Sequence, residues 1–139
     1  MTAYDPDNIF AKILKGEVGS QKVYEDESTY AFMDVMPQSR GHTLVIPKAP
    51  SRNLLDADPA VLAGVAQALP RFARAVKDGM SADGVRLVQY NEAPAGQTVF
   101  HLHFHIIPMY DGVPLKPHTG EMANGDELAA LAEMIMAAL

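Results

Sequence analysis

Ile9, Phe10, Ile13 and Leu14 recur at the spacing of one helix face, with Asp5-Pro6-Asp7 as a helix start and Gly16 as its end. Lys22–Glu25 and Thr29–Asp34 read as two strands joined by the polar turn Asp26-Glu27-Ser28. Pro37–Gly41 is a loop, and His42–Pro47 is the next strand. Asp58-Pro59 predicts an N-cap with proline in the first turn. Leu62, Val65, Leu69, Phe72 and Val76 then form an apolar stripe, and Pro70 within it predicts a kink. Asp83-Gly84 turns into a strand at Val85–Tyr90, Asn91–Gln97 is a loop, and Thr98–Ile107 reads as a long strand. An irregular stretch follows Pro108, before Leu128, Leu131 and Ile135 mark a C-terminal helix. Mostly antiparallel strands with two sizeable helices on one face give an α+β class.

The segment His101-Leu102-His103-Phe104-His105-Ile106-Ile107 holds three of the five histidines. Alternation along a strand puts all three imidazoles on one face, about 6.5–7 Å apart, and Phe100, Leu102, Phe104 and Ile106 on the other. Three readings fit this face. It is a solvated polar surface, a metal site built on His-x-His, or a centre of covalent catalysis by imidazole. No acidic or cysteine ligand follows closely, and the outer two histidines stand far apart for one ion. A neutral imidazole is a good nucleophile towards phosphorus, and His103 has a histidine on either side. Immediately upstream, Gly96, Gln97 and Thr98 offer a glycine, an amide and a hydroxyl where adjacent N–H groups can cradle an anion. Asn91 adds a side-chain amide, and His42 lies in a second strand. His118 has no such context and receives no role.

Composition narrows the field. The 139 residues suit one domain, 1–139, with its motif-bearing core at about 7–110 and a tail and helix over 111–139. Hydrophobic residues make up 48% of the chain, enough for a core without crosslinks. The absence of cysteine excludes disulfides, thiolate-held metals and thiol nucleophiles. A formal charge of −6 argues against broad nucleic-acid binding. The start MTAYDPDNIF lacks a basic segment and an apolar run, so the expectation is a cytoplasmic protein with no membrane association.

The histidine segment resembles the His-φ-His-φ-His-φ-φ signature of the histidine triad superfamily. Ile9-Phe10, Ala31-Phe32-Met33-Asp34, Gly41-His42-Thr43-Leu44-Val45-Ile46-Pro47-Lys48, Asn91-Glu92 and Gly96-Gln97-Thr98-Val99 are similar to its other landmarks, in order. The match looks like the bacterial form of the Hint-type branch. It implies a homodimer of α+β subunits, each with a five-stranded antiparallel sheet, two main helices and a purine nucleotide site. It implies an enzyme that acts at the α-phosphate of AMP or an AMP conjugate through a nucleotidyl-histidine. His103 would be the nucleophile. His101 and His105 would orient it, bind phosphate and move a proton to the leaving group, with His42 completing the network. Asn91, Gly96, Gln97 and Thr98 would meet the phosphate, followed by Val99. Asp34 would take the ribose hydroxyls, and Ile9, Phe10, Phe32 and Val35 would pack around the base.

Some bacterial relatives hold a structural zinc through an N-terminal Cys-x-x-Cys, a histidine after the Pro-Lys and the first triad histidine. Here Asn8, Ala11 and Pro50 stand at three of those positions, so neither metal nor cofactor is expected. The segment after Pro108 does not match the tryptophan-containing tail of eukaryotic members, so their leaving-group preference does not carry over. The expected activity is phosphoramidate hydrolysis. The alternatives are hydrolysis of dinucleoside polyphosphates and a non-catalytic nucleotide-binding module.

Overall fold

A computed structural model describes residues 1–118 and 120–139. Five strands form one antiparallel sheet: β1 (Lys22–Glu25), β2 (Thr29–Met33), β3 (Thr43–Pro47), β4 (Gly84–Val88) and β5 (Phe104–Met109). Their spatial order is β1-β2-β3-β5-β4. Three α-helices accompany the sheet: α1 (Ile9–Leu14), α2 (Pro59–Gly79) and α3 (Gly125–Ala137).

β2 and β3 are buried along their whole length because both faces of the sheet are covered. On one face Ala31, Met33, Val45 and Ile106 meet Val65, Leu69, Phe72 and Val76 of α2 and Leu128, Leu131 and Ile135 of α3. On the other face Tyr30, Phe32, Leu44 and Ile46 meet Phe10 of α1, with Ile13, Leu14 and Val99 at the margin. Period-two alternation in these strands therefore divides two cores instead of a core and solvent.

Three local expectations change. The strand expected at Thr98–Ile107 is laddered only over Phe104–Met109, so His105 alone of the triad is a strand residue. Pairing with β3 reaches only Val45↔Phe104. Before it the chain turns aside, where the Leu102 N–H donates to the Ser51 carbonyl at 2.8 Å and the Arg52 guanidinium covers the Phe100 ring. α2 runs unbroken through Pro70, whose position and that of Ala66 face solvent. The Ala66 carbonyl that proline leaves unpartnered is thus open to water. α1 starts at Asn8, whose side chain accepts the Ala11 N–H, while Asp5 closes a turn on the Asp7 N–H.

Register places the site. Phe32 pairs with Leu44, Leu44 with His105, and His105 with Val88. A row across the sheet thus carries His105 onto the same face as Phe32 and Leu44, under α1 and away from α2 and α3.

Candidate active site

A cavity of about 620 Å³ opens on that face. Ile9, Phe10, Phe32, Val35 and Val99 give it apolar walls, with Thr98 at the rim. Asp34, His103, His105 and His118 bring polar atoms to it. The remaining expected residues, His42, His101, Asn91, Gly96 and Gln97, lie behind or beside this lining.

The ring nitrogens of the histidines are assigned by their partners. Nδ1 of His103 lies 2.6 Å from the carbonyl of His101. A carbonyl only accepts, so Nδ1 carries the proton and Nε2 the lone pair. That Nε2 has no partner among the described residues, and none of their buried side-chain polar atoms is left unpartnered. It must therefore be open to the cavity. Phe10 meets the His103 ring edge-on at 5.0 Å.

A second chain of assignments fixes His105. The Gln38 N–H donates to Nδ1 of His42 at 3.0 Å, which leaves the His42 proton on Nε2. That Nε2 donates to Nδ1 of His105 at 2.9 Å, so His105 carries its proton on Nε2. His103 thus offers a lone pair and His105 an N–H, on rings whose centroids are 4.9 Å apart.

His101 faces the other way. Its Nε2–H donates to the Pro47 carbonyl at 2.8 Å, and its Nδ1 accepts from the Tyr4 hydroxyl at 2.7 Å. Its link to the cavity is its own backbone carbonyl, the group that orients His103.

Burial lowers the pKa of all four rings, because a charged imidazolium loses hydration. Desolvation takes His42 down to about 4, against the opposing attraction of Asp34. Desolvation and the neighbouring His103 and His42 take His105 to about 3. His101 and His103 are lowered by burial as well, against the carbonyls that accept from them. These rings are neutral at neutral pH, as a nucleophilic imidazole must be.

Asp34 is 5% exposed. Burial opposes its ionisation, but the His118 hydrogen bond, the His42 ring and the Met36 N–H outweigh it, so its pKa is lowered. Nε2 of His118 lies 2.8 Å from Oδ2 of Asp34, and that hydrogen bond raises the His118 pKa. His118, given no role from sequence, thus belongs to the cavity. It sits in an irregular stretch with no periodicity to betray which way it points.

The loop after β4 is fastened by its own polar side chains. Gln97, 2% exposed, accepts the Glu92 N–H and an Asn53 amide hydrogen, and donates to the Arg52 and Val99 carbonyls. Asn91 accepts the Leu54 N–H and exchanges amide bonds with Gln89. Arg52 clamps Glu92 with two bonds, at 2.8 and 3.0 Å. Gly96 has φ 111°, and a Cβ there would stand 3.3 Å from the Tyr90 ring, so glycine is required. The Asn91 and Gln97 amides therefore shape the loop, while its backbone stays beside the cavity mouth. Sequence reading did not reach Arg52, Asn53, Tyr4 or Gln38, which act through backbone carbonyls, backbone N–H groups or long-range pairs.

The zinc of some bacterial relatives does not fit this chain. Asn8 uses its side-chain oxygen on the Ala11 N–H, Ala11 and Pro50 offer no side-chain donor, and both nitrogens of His101 are engaged.

Comparison with known proteins agrees with the fold. The HIT domain model matches residues 15–112. The crystal structure of a Hit-like protein from Bartonella henselae superposes with a TM-score of 0.92 at 51% identity, covering 99% of this chain and 100% of that one. A hypothetical histidine triad nucleotide-binding protein from Sulfolobus tokodaii gives 0.85 at 37% identity, over 93% of this chain and 89% of that one. Adenylylsulfatase HINT3 of Arabidopsis thaliana is 38% identical over 102 residues, which are 73% of this chain and 52% of that protein. The chain belongs to the HIT family, whose members are nucleotide-binding hydrolases and transferases. Among the described residues, no helix is long and apolar enough to cross a membrane.

Proposed function

We propose that this protein hydrolyses phosphoramidate or related bonds at the α-phosphate of a purine nucleoside monophosphate. The observation that carries the reading is the 2.6 Å bond from His103 Nδ1–H to the His101 carbonyl, which leaves the Nε2 lone pair facing the cavity.

In the proposed reaction that lone pair attacks phosphorus in line, forming an N–P bond as the bond from phosphorus to the leaving nitrogen breaks. The leaving amine departs with a proton supplied through His105 Nε2–H, which recovers one from solvent. Water then attacks the phosphorus of the nucleotidyl-histidine and loses its proton to solvent, giving the nucleoside monophosphate and neutral His103. Protons taken up and given out cancel. Thr98 and Val99, which line the cavity, offer their backbone N–H groups to the phosphoryl oxygens, where charge is concentrated, while the Gly96 and Gln97 N–H groups are held by the Ala93 and Glu92 carbonyls.

The Asp34 carboxylate accepts the ribose hydroxyls in place of His118, and Ile9, Phe10, Phe32 and Val35 enclose the base. The adenylylsulfatase among the relatives supports an adenylyl substrate with a small leaving group. The working unit is a cytoplasmic homodimer.

The test compares the intact protein with His103→Ala on an adenosine 5′-phosphoramidate. The variant keeps AMP affinity and loses turnover. If the intact protein turns over neither phosphoramidates nor dinucleoside polyphosphates, the site is a binding module and the reading fails.

A further inference from the structure

Tyr4 stands outside the lining of the cavity, in the arm that precedes α1, yet one residue alone separates it from His103. Its hydroxyl donates to Nδ1 of His101 at 2.7 Å, and the two rings meet edge to face with centroids 5.7 Å apart. Burial raises the Tyr4 pKa, so the phenol keeps the proton it donates. On the opposite side of the same imidazole, Nε2–H donates to the Pro47 carbonyl at 2.8 Å. His101 is fully buried, so solvent does not take over either bond.

The backbone of His101 depends on this grip, because the ladder of β5 begins only at Phe104. One peptide unit carries both the His101 carbonyl, which accepts from His103 Nδ1 at 2.6 Å, and the Leu102 N–H, which donates to the Ser51 carbonyl at 2.8 Å. The Ser51 bond fixes one edge of that plane. The imidazole, pinned between Tyr4 and Pro47, fixes the Cα from which the plane starts. A buried acceptor without its donor costs free energy, so loss of the phenol proton drives the ring to turn or to admit water. The carbonyl moves with it, and His103 is then free to carry its proton on Nε2, where the lone pair has to be.

The same arm grips His103 from a second side. Four residues after Tyr4, Asn8 caps α1, and α1 sets Phe10 edge-on against the His103 ring at 5.0 Å.

We propose that Tyr4 is a positioning residue for His103, acting through the His101 ring and carbonyl. The role rests on His103 being the nucleophile, but the tautomer it predicts is a property of the protein without ligand.

Tyr4→Phe tests this, since it keeps the ring and removes the hydroxyl alone at a partly exposed position. Nitrogen spectra of ligand-free protein with isotope-labelled histidine read the tautomers directly. In the parent, His103 should hold its proton on Nδ1. In a variant with the parent's circular dichroism spectrum, the proton should be shared between Nδ1 and Nε2. Turnover of an adenosine 5′-phosphoramidate should fall about 10- to 100-fold with AMP affinity unchanged, as for a misplaced reacting atom. His103 signals identical in parent and variant, equal turnover, or AMP affinity lost as steeply as turnover would each overturn the proposal. A parent that turns over no nucleotide sinks the nucleotide reading instead, and the nitrogen signals alone then decide whether Tyr4 sets the His103 tautomer.

Discussion

His42 and His105 face each other across β3 and β5 with Nε2 and Nδ1 2.9 Å apart, and the direction of that bond is fixed from outside by the Gln38 N–H. One backbone amide thereby decides which nitrogen of His105 carries a proton into the cavity. His42→Ala removes the device. It leaves the Gln38 N–H without its acceptor, a loss of about 1–3 kcal/mol in a buried setting. It also frees the His105 ring to take the other tautomer. Turnover of an adenosine phosphoramidate falls about 10²-fold with AMP affinity little changed. Equal losses of affinity and turnover would place His42 in binding instead.

The lowered pKa values make the protein sensitive to acid. An unfolded histidine protonates near 6.5, whereas folded His42 and His105 resist until about 4 and about 3. Below 6.5 the unfolded chain therefore binds protons that the folded one refuses. Their contribution is intact above pH 6.5 and drains away as pH falls through that window. His118 works in the opposite sense: its raised pKa favours the fold in acid, and this is lost as pH rises through it. Thermal unfolding should show a lower Tm at pH 4.5 than at pH 7. The fall should be steeper in His118→Ala, and a flat profile in both proteins would contradict the assignment.

Asp34 as a ribose acceptor makes a prediction about ligands. A hydrogen bond to a charged group is worth about 1.5–3 kcal/mol, and about 1.4 kcal/mol is a factor of ten. The 2′,3′-dideoxy analogue of AMP should therefore bind about 10- to 100-fold more weakly than AMP by calorimetry. Equal affinities would remove Asp34 from the ribose.

Most of the fold was legible because the apolar positions obey two simple periods, from the stripe Leu62–Val76 to the alternation in β5. The end of β5 was not. His-φ-His-φ-His alternates equally well in a strand and in an extended loop, and only Ser51 and Arg52, about fifty residues away, draw the chain off the sheet. The triad and the apolar walls were legible for the same reason, since a motif is local. His118 and Arg52 were not, because each acts through one partner distant in sequence: Asp34 at |i−j| = 84 and Glu92 at |i−j| = 40.

Glu92 stands at φ 75°, ψ 157°, a region essentially reserved for glycine. Arg52 and Asn53 hold its carboxylate there. Glu92→Ala and Glu92→Gly lose the same bonds, but only glycine relieves the backbone. The glycine variant should be the more stable by about 1–3 kcal/mol in urea, the reverse of the usual order. A more stable alanine variant would show that the strain is absent in solution.

The covalent role of His103 is tested most directly by acid-free quenching of turnover with an adenosine phosphoramidate, followed by mass spectrometry and peptide mapping. The account predicts an added adenylyl group on His103, absent from His103→Ala. An adduct on His101, His105 or His118, or steady turnover with no adduct at any time, would contradict it.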